Sequence, residues 1–406
     1  MRRVVVTGMS GVTSLGHTWN DIQENMRKGI TGTRHMPEWT DIDGMNTQLA
    51  APIQKLDLDG RWPRKKTRSM GPVALYALYA TEQALLAAGL LDHPVLRSGR
   101  TGVAYGSSFG SPEPMSEFAE LLFHRSLKKL TATSYIRMMS HTAAVNIGLF
   151  YGLQGRIIPT STACTSGSMA IGYGAEAIRY GLQDVVIAGG AEEICPSMAS
   201  IFDTLYATST RNDDPKSTPR PFDKDRDGLV IGEGASTLIL EEYEHAVARG
   251  ATIYSEIVGF ATNTDGNHVT QPTAETMQQA MRMALKDAKL NPEQIGFVNG
   301  HGTATEFGDI AEASATNAVF GDKVPIHSLK SYFGHTLGAC GALEAWLAIE
   351  MNRCGWFAPT ANLKVVDPRC APLDYMMNQG RDLQVEYLMS NNFAFGGINT
   401  SLIFKR

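Results

Sequence analysis

The stretch Ile157-Ile158-Pro159-Thr160-Ser161-Thr162-Ala163-Cys164-Thr165-Ser166-Gly167-Ser168 decides how this chain is read. Residues 157–162 predict a strand, and residues 169–180 beyond it predict an amphipathic helix. Residues 184–188 then predict a second buried strand, so the segment reads as strand, tight turn, helix, strand, with Cys164 at the bend. A thiol at a helix entrance meets free backbone N–H groups and the positive end of the helix dipole, which favour thiolate and lower its pKa. Ala163, Ser166 and Gly167 keep the turn uncluttered, so nucleophilic attack on a thioester is a sensible reaction class. The same pattern suits a small buried side chain after a strand, and the segment alone leaves both readings open.

The rhythm continues outward in both directions. Strands are predicted at residues 4–9, 101–105, 235–240, 253–260, 295–299, 324–329 and 387–390. Helices are predicted at residues 70–90 with a stop at Gly89, and at 241–248, 273–289, 310–319 and 338–351. Buried strands alternating with helices imply a largely parallel α/β sheet with helices on both faces. Residues 210–234, marked by Pro215, Pro219 and Pro221, read as a polar loop. Two α/β halves follow, residues 1–250 carrying the thiol and residues 251–406 carrying the histidines discussed next.

Composition narrows the function classes. The chain has 406 residues, 43% of them hydrophobic, enough for a sizeable core and against disorder. Its formal charge of −5 disfavours a generally basic nucleic-acid surface. No apolar run is long enough to span a bilayer, and Gly8 and Gly11 interrupt the opening strand too early for a signal peptide. Cys164, Cys195, Cys340, Cys354 and Cys370 are sparse and form no CxxC pair, so reduced thiols and a cytoplasmic setting are expected.

Two histidines stand where strands run into glycine turns: His301 in Asn299-Gly300-His301-Gly302-Thr303-Ala304-Thr305, and His335 in Phe333-Gly334-His335-Thr336-Leu337-Gly338. Neutral imidazoles can each donate an N–H to a developing oxyanion. Two satisfied core histidines are the alternative. Lys330 before His335 would need a carboxylate partner if buried, and Glu344 is the candidate. Asp309 either orients the His301 loop or caps the helix after it. No close Cys/His cluster or HExxH is present, so no metal is expected.

These motifs, with Asn391-Asn392-Phe393-Ala394-Phe395-Gly396-Gly397, make the whole chain resemble the β-ketoacyl-[acyl-carrier-protein] synthases, the KAS I/KAS II-like group of the thiolase-like superfamily. The ordered Cys…His…Lys…His set is what makes the resemblance specific. It implies a thiolase-like layered αβαβα fold with two pseudo-duplicated halves. It also implies decarboxylative Claisen condensation of an enzyme-bound acyl group with malonyl-acyl-carrier protein in fatty-acid synthesis, needing no cofactor. Cys164 is then the nucleophile, His301 and His335 the catalytic imidazoles, and Lys330, Glu344 and Asp309 their support. The backbone N–H groups of Cys164 and Phe393 are expected as the oxyanion hole, and Phe393 also as a gate. Phe109, Phe202, Thr303 and Thr305 are expected to line the substrate pocket. The basic run Arg61, Arg64, Lys65, Lys66 and Arg68, with Arg211 and Arg220, is expected to dock acyl carrier protein. A homodimer is the family's usual assembly, with a heterodimer open. The bulk of Phe109 argues against long saturated chains and keeps a specialised aryl-polyene or polyketide ketosynthase as the alternative.

Overall fold

The computed structural model describes residues 1–406. Its main elements repeat one pattern twice. The first run has strands β1 (Val4–Val12), β2 (Thr101–Gly106), β3 (Ile157–Thr160), β4 (Val185–Glu192) and β5 (Gly234–Glu242). Helices α1 (Pro72–Ala88), α2 (Thr142–Tyr151) and α3 (Ser166–Arg179) follow its first, second and third strands. The second run has strands β6 (Ser255–Thr264), β7 (Ile295–Asn299), β8 (Pro325–His327), β9 (Tyr387–Ala394) and β10 (Ile398–Lys405). Its helices are α4 (Ala274–Ala288), α5 (Glu306–Phe320) and α6 (Cys340–Cys354), in the same places.

Spatial order repeats too: β1-β5-β4-β2-β3 in one half and β6-β10-β9-β7-β8 in the other. Each half therefore runs first, fifth, fourth, second, third. In both, the fifth strand is antiparallel to the first and fourth, while the second is parallel to the fourth and third. This matching ladder is the duplication. The halves join where β1 meets β6 at Val5↔Glu256 and Val6↔Ser255.

The sheet is mixed, not largely parallel. The cause is visible at β9 and β10, joined by Phe395-Gly396-Gly397, a loop too short for anything but an antiparallel return. Gly396 and Gly397 take φ of 86° and 69°, which the turn requires. Strand β2 also lies between β3 and β4, so α3 crosses over one intervening strand. The helices Trp19–Arg27, Met115–His124, Ala132–Met138, α2 and Pro196–Asp203 escape the sequence pattern, along with strand β10.

Alternation along β4 shows the layering. Val186 and Ala188 face a core shared with α3, α6 and the second sheet, while Val185 and Ile187 face α1 and α2. On the far side α4 and α5 cover β6, β7 and β9. The order is thus αβαβα, with α3 and α6 in the middle. Both central helices are buried nearly all round, as a helix between two sheets must be. They meet almost backbone to backbone: a Cβ on Gly341 would lie 2.6 Å from Ser168 N, and one on Gly167 2.8 Å from Ala342 N. No helix is long and apolar enough to cross a membrane.

Gly341→Ala should therefore destabilise the protein by about 1–3 kcal/mol, the usual cost of overpacking a dense core. The check is the thermal midpoint at a fixed scan rate. An unchanged midpoint would mean that the central helices can separate freely.

Candidate active site

Cys164 sits between β3 and α3, held by a hydroxyl-rich turn. Ser166 Oγ donates to Ala163 O at 2.7 Å and accepts from Thr162 N at 2.9 Å, while Thr160 Oγ1 donates to Ser166 O at 2.8 Å. Ala163 adopts a left-handed φ of 49°, a strained conformation that persists because the surroundings over-determine it.

The structure brings Cys164, His301 and His335 together. Cys164 Sγ lies 3.0 Å from His335 Nε2, and the two imidazole centroids are 5.2 Å apart at 86°. Partners assign each tautomer. His335 Nδ1 accepts from Leu337 N at 3.2 Å, so its proton belongs on Nε2. His301 Nδ1 faces Lys330 Nζ at 3.0 Å and Asn392 Nδ2 at 3.3 Å, both donors, so its proton is on Nε2 as well. Burial first, then the Lys330 charge, holds both imidazoles well below their usual pKa. They are neutral donors.

Lys330 is buried, as its suspected partner requires. Its Nζ is 2.5 Å from Glu344 Oε1, while Glu344 Oε2 accepts from Asn392 Nδ2 at 2.7 Å. Burial works against the ammonium, but the adjacent carboxylate outweighs it and keeps the pKa above the ordinary lysine value.

The thiol departs from the expectation of a lowered pKa. Burial pushes Cys164 from 9.0 up to about 12, against the opposing pull of Lys330 and of backbone N–H groups. That rise corresponds to roughly 4 kcal/mol, at 1.36 kcal/mol per pH unit. A helix N-terminus contributes at most about 2 kcal/mol. Desolvation wins, and the resting sulfur is a thiol.

The backbone N–H groups that favour the Cys164 thiolate are those of Phe395 and of Cys164 itself; Phe393, expected to supply a donor here, is not among them. Phe393 is still inside β9, paired with Asn399, whereas Phe395 is the first residue of the turn beyond it. The Phe393 ring packs edge-on to His301 at 6.1 Å, and the Phe395 ring lies 5.0 Å from that of Phe202.

A cavity of about 560 Å³ opens onto these groups, lined by Cys164, His301, His335, Phe202, Thr303, Thr305, Phe393 and Phe395. Thr303 and Thr305 join hydroxyls at 2.8 Å. Phe109 does not line it; the ring packs into the apolar cluster that contains Phe202 and Leu337. Asp309 orients the His301 loop, accepting from Thr303 N at 3.0 Å, Ala304 N at 3.1 Å and Phe222 N at 2.7 Å. Glu312, one turn along α5, was missed by the sequence reading. Its two oxygens take His301 N and Gly302 N at 2.6 Å each. The signal available was its three-residue spacing from Asp309.

The basic residues divide. Arg64, Lys65, Lys66 and Arg68 are exposed on or beside the short helix Arg64–Thr67. Arg61 is tied to Glu82 at 2.5 Å. Arg211 is half-buried beside Asp227. Arg220 is buried 3.3 Å from Asp223 and donates to Asn362 O, so it cannot meet a partner as expected. Ligand atoms of Cys164, His301 and His335 lie within 4.8 Å of one another, a spacing a metal could bridge. The Lys330 ammonium behind His301 opposes a cation there.

Comparison with known proteins places this geometry. Residues 1–246 match the family model "Beta-ketoacyl synthase, N-terminal domain", and residues 254–364 match "Beta-ketoacyl synthase, C-terminal domain". The chain is 38% identical to 3-oxoacyl-[acyl-carrier-protein] synthase 2 of Vibrio cholerae, covering 100% of this chain and 99% of that one. A crystal structure of a β-ketoacyl synthase from Burkholderia phymatum is 58% identical, with a TM-score of 0.99 and 100% of both chains covered. A ketosynthase solved with its type II polyketide acyl-carrier protein and bound to a hexaketide is 31% identical, with a TM-score of 0.89 over 100% of this chain and 99% of that one.

Alkylation of Cys164 by iodoacetamide, followed on its own peptide by mass spectrometry, should accelerate steadily with pH up to at least about pH 9, because only thiolate reacts. A plateau below about pH 7 would mean that the helix end outweighs burial after all.

Proposed function

Since the chain belongs to the β-ketoacyl synthase family and is a condensing enzyme of ketosynthase fold, we propose that it is a 3-oxoacyl-[acyl-carrier-protein] synthase of fatty-acid synthesis. Its reaction would be decarboxylative condensation of a Cys164-bound acyl group with malonyl-acyl-carrier protein. One observation carries the reading: two neutral imidazoles, each with its proton on Nε2, converge with a thiol at the floor of one cavity.

In the first half-reaction Cys164 sulfur attacks the thioester carbon of the acyl-carrier protein, and the thiol proton ends on the departing carrier thiolate. The tetrahedral oxyanion would be met by the N–H groups of Cys164 and Phe395. In the second, malonyl-carrier protein loses carbon dioxide, and the electron pair of the broken bond becomes an enolate. His301 and His335 donate Nε2–H to its oxygen. Neutral donors suit that task, because they stabilise charge without protonating the carbanion. The enolate carbon then attacks the acyl-Cys164 carbonyl, and collapse releases β-ketoacyl-carrier protein and the Cys164 sulfur, which takes up one proton. Lys330, Glu344, Asp309 and Glu312 hold the imidazoles and their loop.

Phe109 and Phe395 pack against the apolar cluster that holds Phe202, one wall of the cavity, and this crowding behind the wall supports a preference for short primers. That same bulk supports the second reading, an aryl-polyene or polyketide ketosynthase acting with a nonidentical subunit. The free outer edge of β3, with exposed Ile157 and Leu149 beside it, supports pairing with a second subunit.

The test supplies acyl- and malonyl-carrier proteins over a range of primers and reads β-ketoacyl product by mass spectrometry. Cys164→Ala should abolish acylation. His301→Ala or His335→Ala should lower condensation by about 10²–10³, the usual loss for one preorganised donor, while acylation falls less. Turnover should decline as the primer lengthens. No acylation and no product from any primer would reject the reading. Native mass of the active preparation separates a homodimer from an assembly needing a different subunit.

Acidic carrier proteins would be steered by Arg64, Lys65, Lys66 and Arg68. Reversing Arg64 and Lys65 to Glu should raise KM for the carrier substrate several-fold with little change in kcat, more so at low salt. An unchanged KM would remove this surface from the docking site.

A further inference from the structure

We propose that Asn392 is a positioning residue that keeps His301 a hydrogen-bond donor toward the cavity it shares with Cys164. The inference rests on the condensing role just argued, and its first readout is independent of that role.

Asn392 is fully buried in β9. Its amide nitrogen lies 2.7 Å from Glu344 Oε2, 3.3 Å from His301 Nδ1 and 3.7 Å from Cys340 Sγ. Cys340, at the start of α6, donates its S–H to the carbonyl oxygen of Cys164 at 3.1 Å. One side chain thus touches the ion pair, one imidazole and the thiol bound to the nucleophile's backbone. The oxygen of the same amide has no partner although it is buried, so its contacts run through two N–H hydrogens, which the two shorter distances assign to Glu344 and His301.

Those hydrogens matter because Lys330 serves two acceptors. Its ammonium reaches Glu344 Oε1 at 2.5 Å and His301 Nδ1 at 3.0 Å. Glu344 Oε2, stripped of Asn392, would be a buried carboxylate oxygen without a donor, and the nearest mobile donor is Lys330 itself. An ammonium drawn across both carboxylate oxygens leaves His301 Nδ1. The imidazole is then free to move its proton to Nδ1 and turn a bare Nε2 toward the cavity. A bare nitrogen cannot stabilise an enolate oxygen. Asn392 prevents this by occupying Oε2 and adding a second donor toward Nδ1.

The experiment uses the full chain labelled with ¹⁵N-histidine. NMR of the unaltered protein should show His301, identified by its loss in His301→Ala, with Nε2 protonated and Nδ1 bare. In Asn392→Leu, which keeps the branching without any polar hydrogen, and in Asn392→Asp, which keeps the shape with fewer hydrogens, the Nδ1–H or doubly protonated form should appear. Malonyl decarboxylation should fall by about 10–100-fold in both, since a well-placed donor is lost. The iodoacetamide rate at Cys164 should stay within about 3-fold. An Nδ1 proton in the unaltered protein overturns the proposal without any variant. So does an unchanged tautomer in a folded variant, or a parallel fall of decarboxylation and alkylation. Failure of the unaltered protein to decarboxylate would instead overturn the condensing role, while the NMR still decides this one.

Discussion

A single buried ammonium organises the site. Lys330 is sealed between the sheets, and a charge there persists only because Glu344 lies 2.5 Å away and further hydrogen bonds complete both groups. Removing either partner would leave the other buried and unpaired, the costlier of the possible defects. The consequences radiate outward. Lys330 supplies the proton-side contact that leaves His301 Nδ1 without its own hydrogen. Burial keeps His301 and His335 from protonating, the Lys330 charge adds to that effect, and the same charge opposes the burial that holds Cys164 as a thiol. The imidazoles are therefore held as neutral donors by desolvation and a neighbouring charge acting together.

The repeated topology explains how such distant residues meet. Cys164 lies between the third strand of the first half and α3, while Lys330 and His335 lie between the third strand of the second half and α6. These are equivalent connections, related by the duplication. His301 follows the second strand of its half, β7, which is parallel to β8. Loops after parallel strands emerge on the same side of a sheet, the usual place for a site in an α/β protein. Packing α3 against α6 through Gly167 and Gly341 brings the two equivalent helix entrances together. The side chains of the candidate site are then divided between them: the thiol at one, the ammonium and the His335 imidazole at the other.

What the sequence made legible was the local placement of reactive side chains. A thiol between a strand and a helix, and two histidines between strand ends and glycine turns, are short-range patterns that the fold retains. Properties set by the third dimension were not legible. The direction of the Cys164 shift depends on how completely the thiol is desolvated, and a helix-end argument omits that. Phe395 displaced Phe393 because the donor belongs to the first residue past β9, and the end of a strand leaves little trace in Asn-Phe-Ala-Phe. Arg220 looked like part of a basic surface until Asp223 and Asn362 enclosed it. Glu312 and the side chain of Asn392 were not singled out, because nothing local shows which polar residues of a helix or strand turn inward; both contact the His301 segment.

The mixed sheet shows the same division at the level of architecture. Hydrophobic runs reveal that a strand is buried on both faces, which is true here of the parallel strand β2 and the antiparallel strand β5 alike. Direction is decided by the connections: a helical crossover between β2 and β3 gives a parallel pair, and three residues between β9 and β10 force an antiparallel one. That short connection is also what points the Phe395 N–H at Cys164. A longer loop would free the strand direction and lose the donor. The direction of β10 and the position of Phe395 are therefore set by one constraint, the tightness of the turn through Gly396 and Gly397.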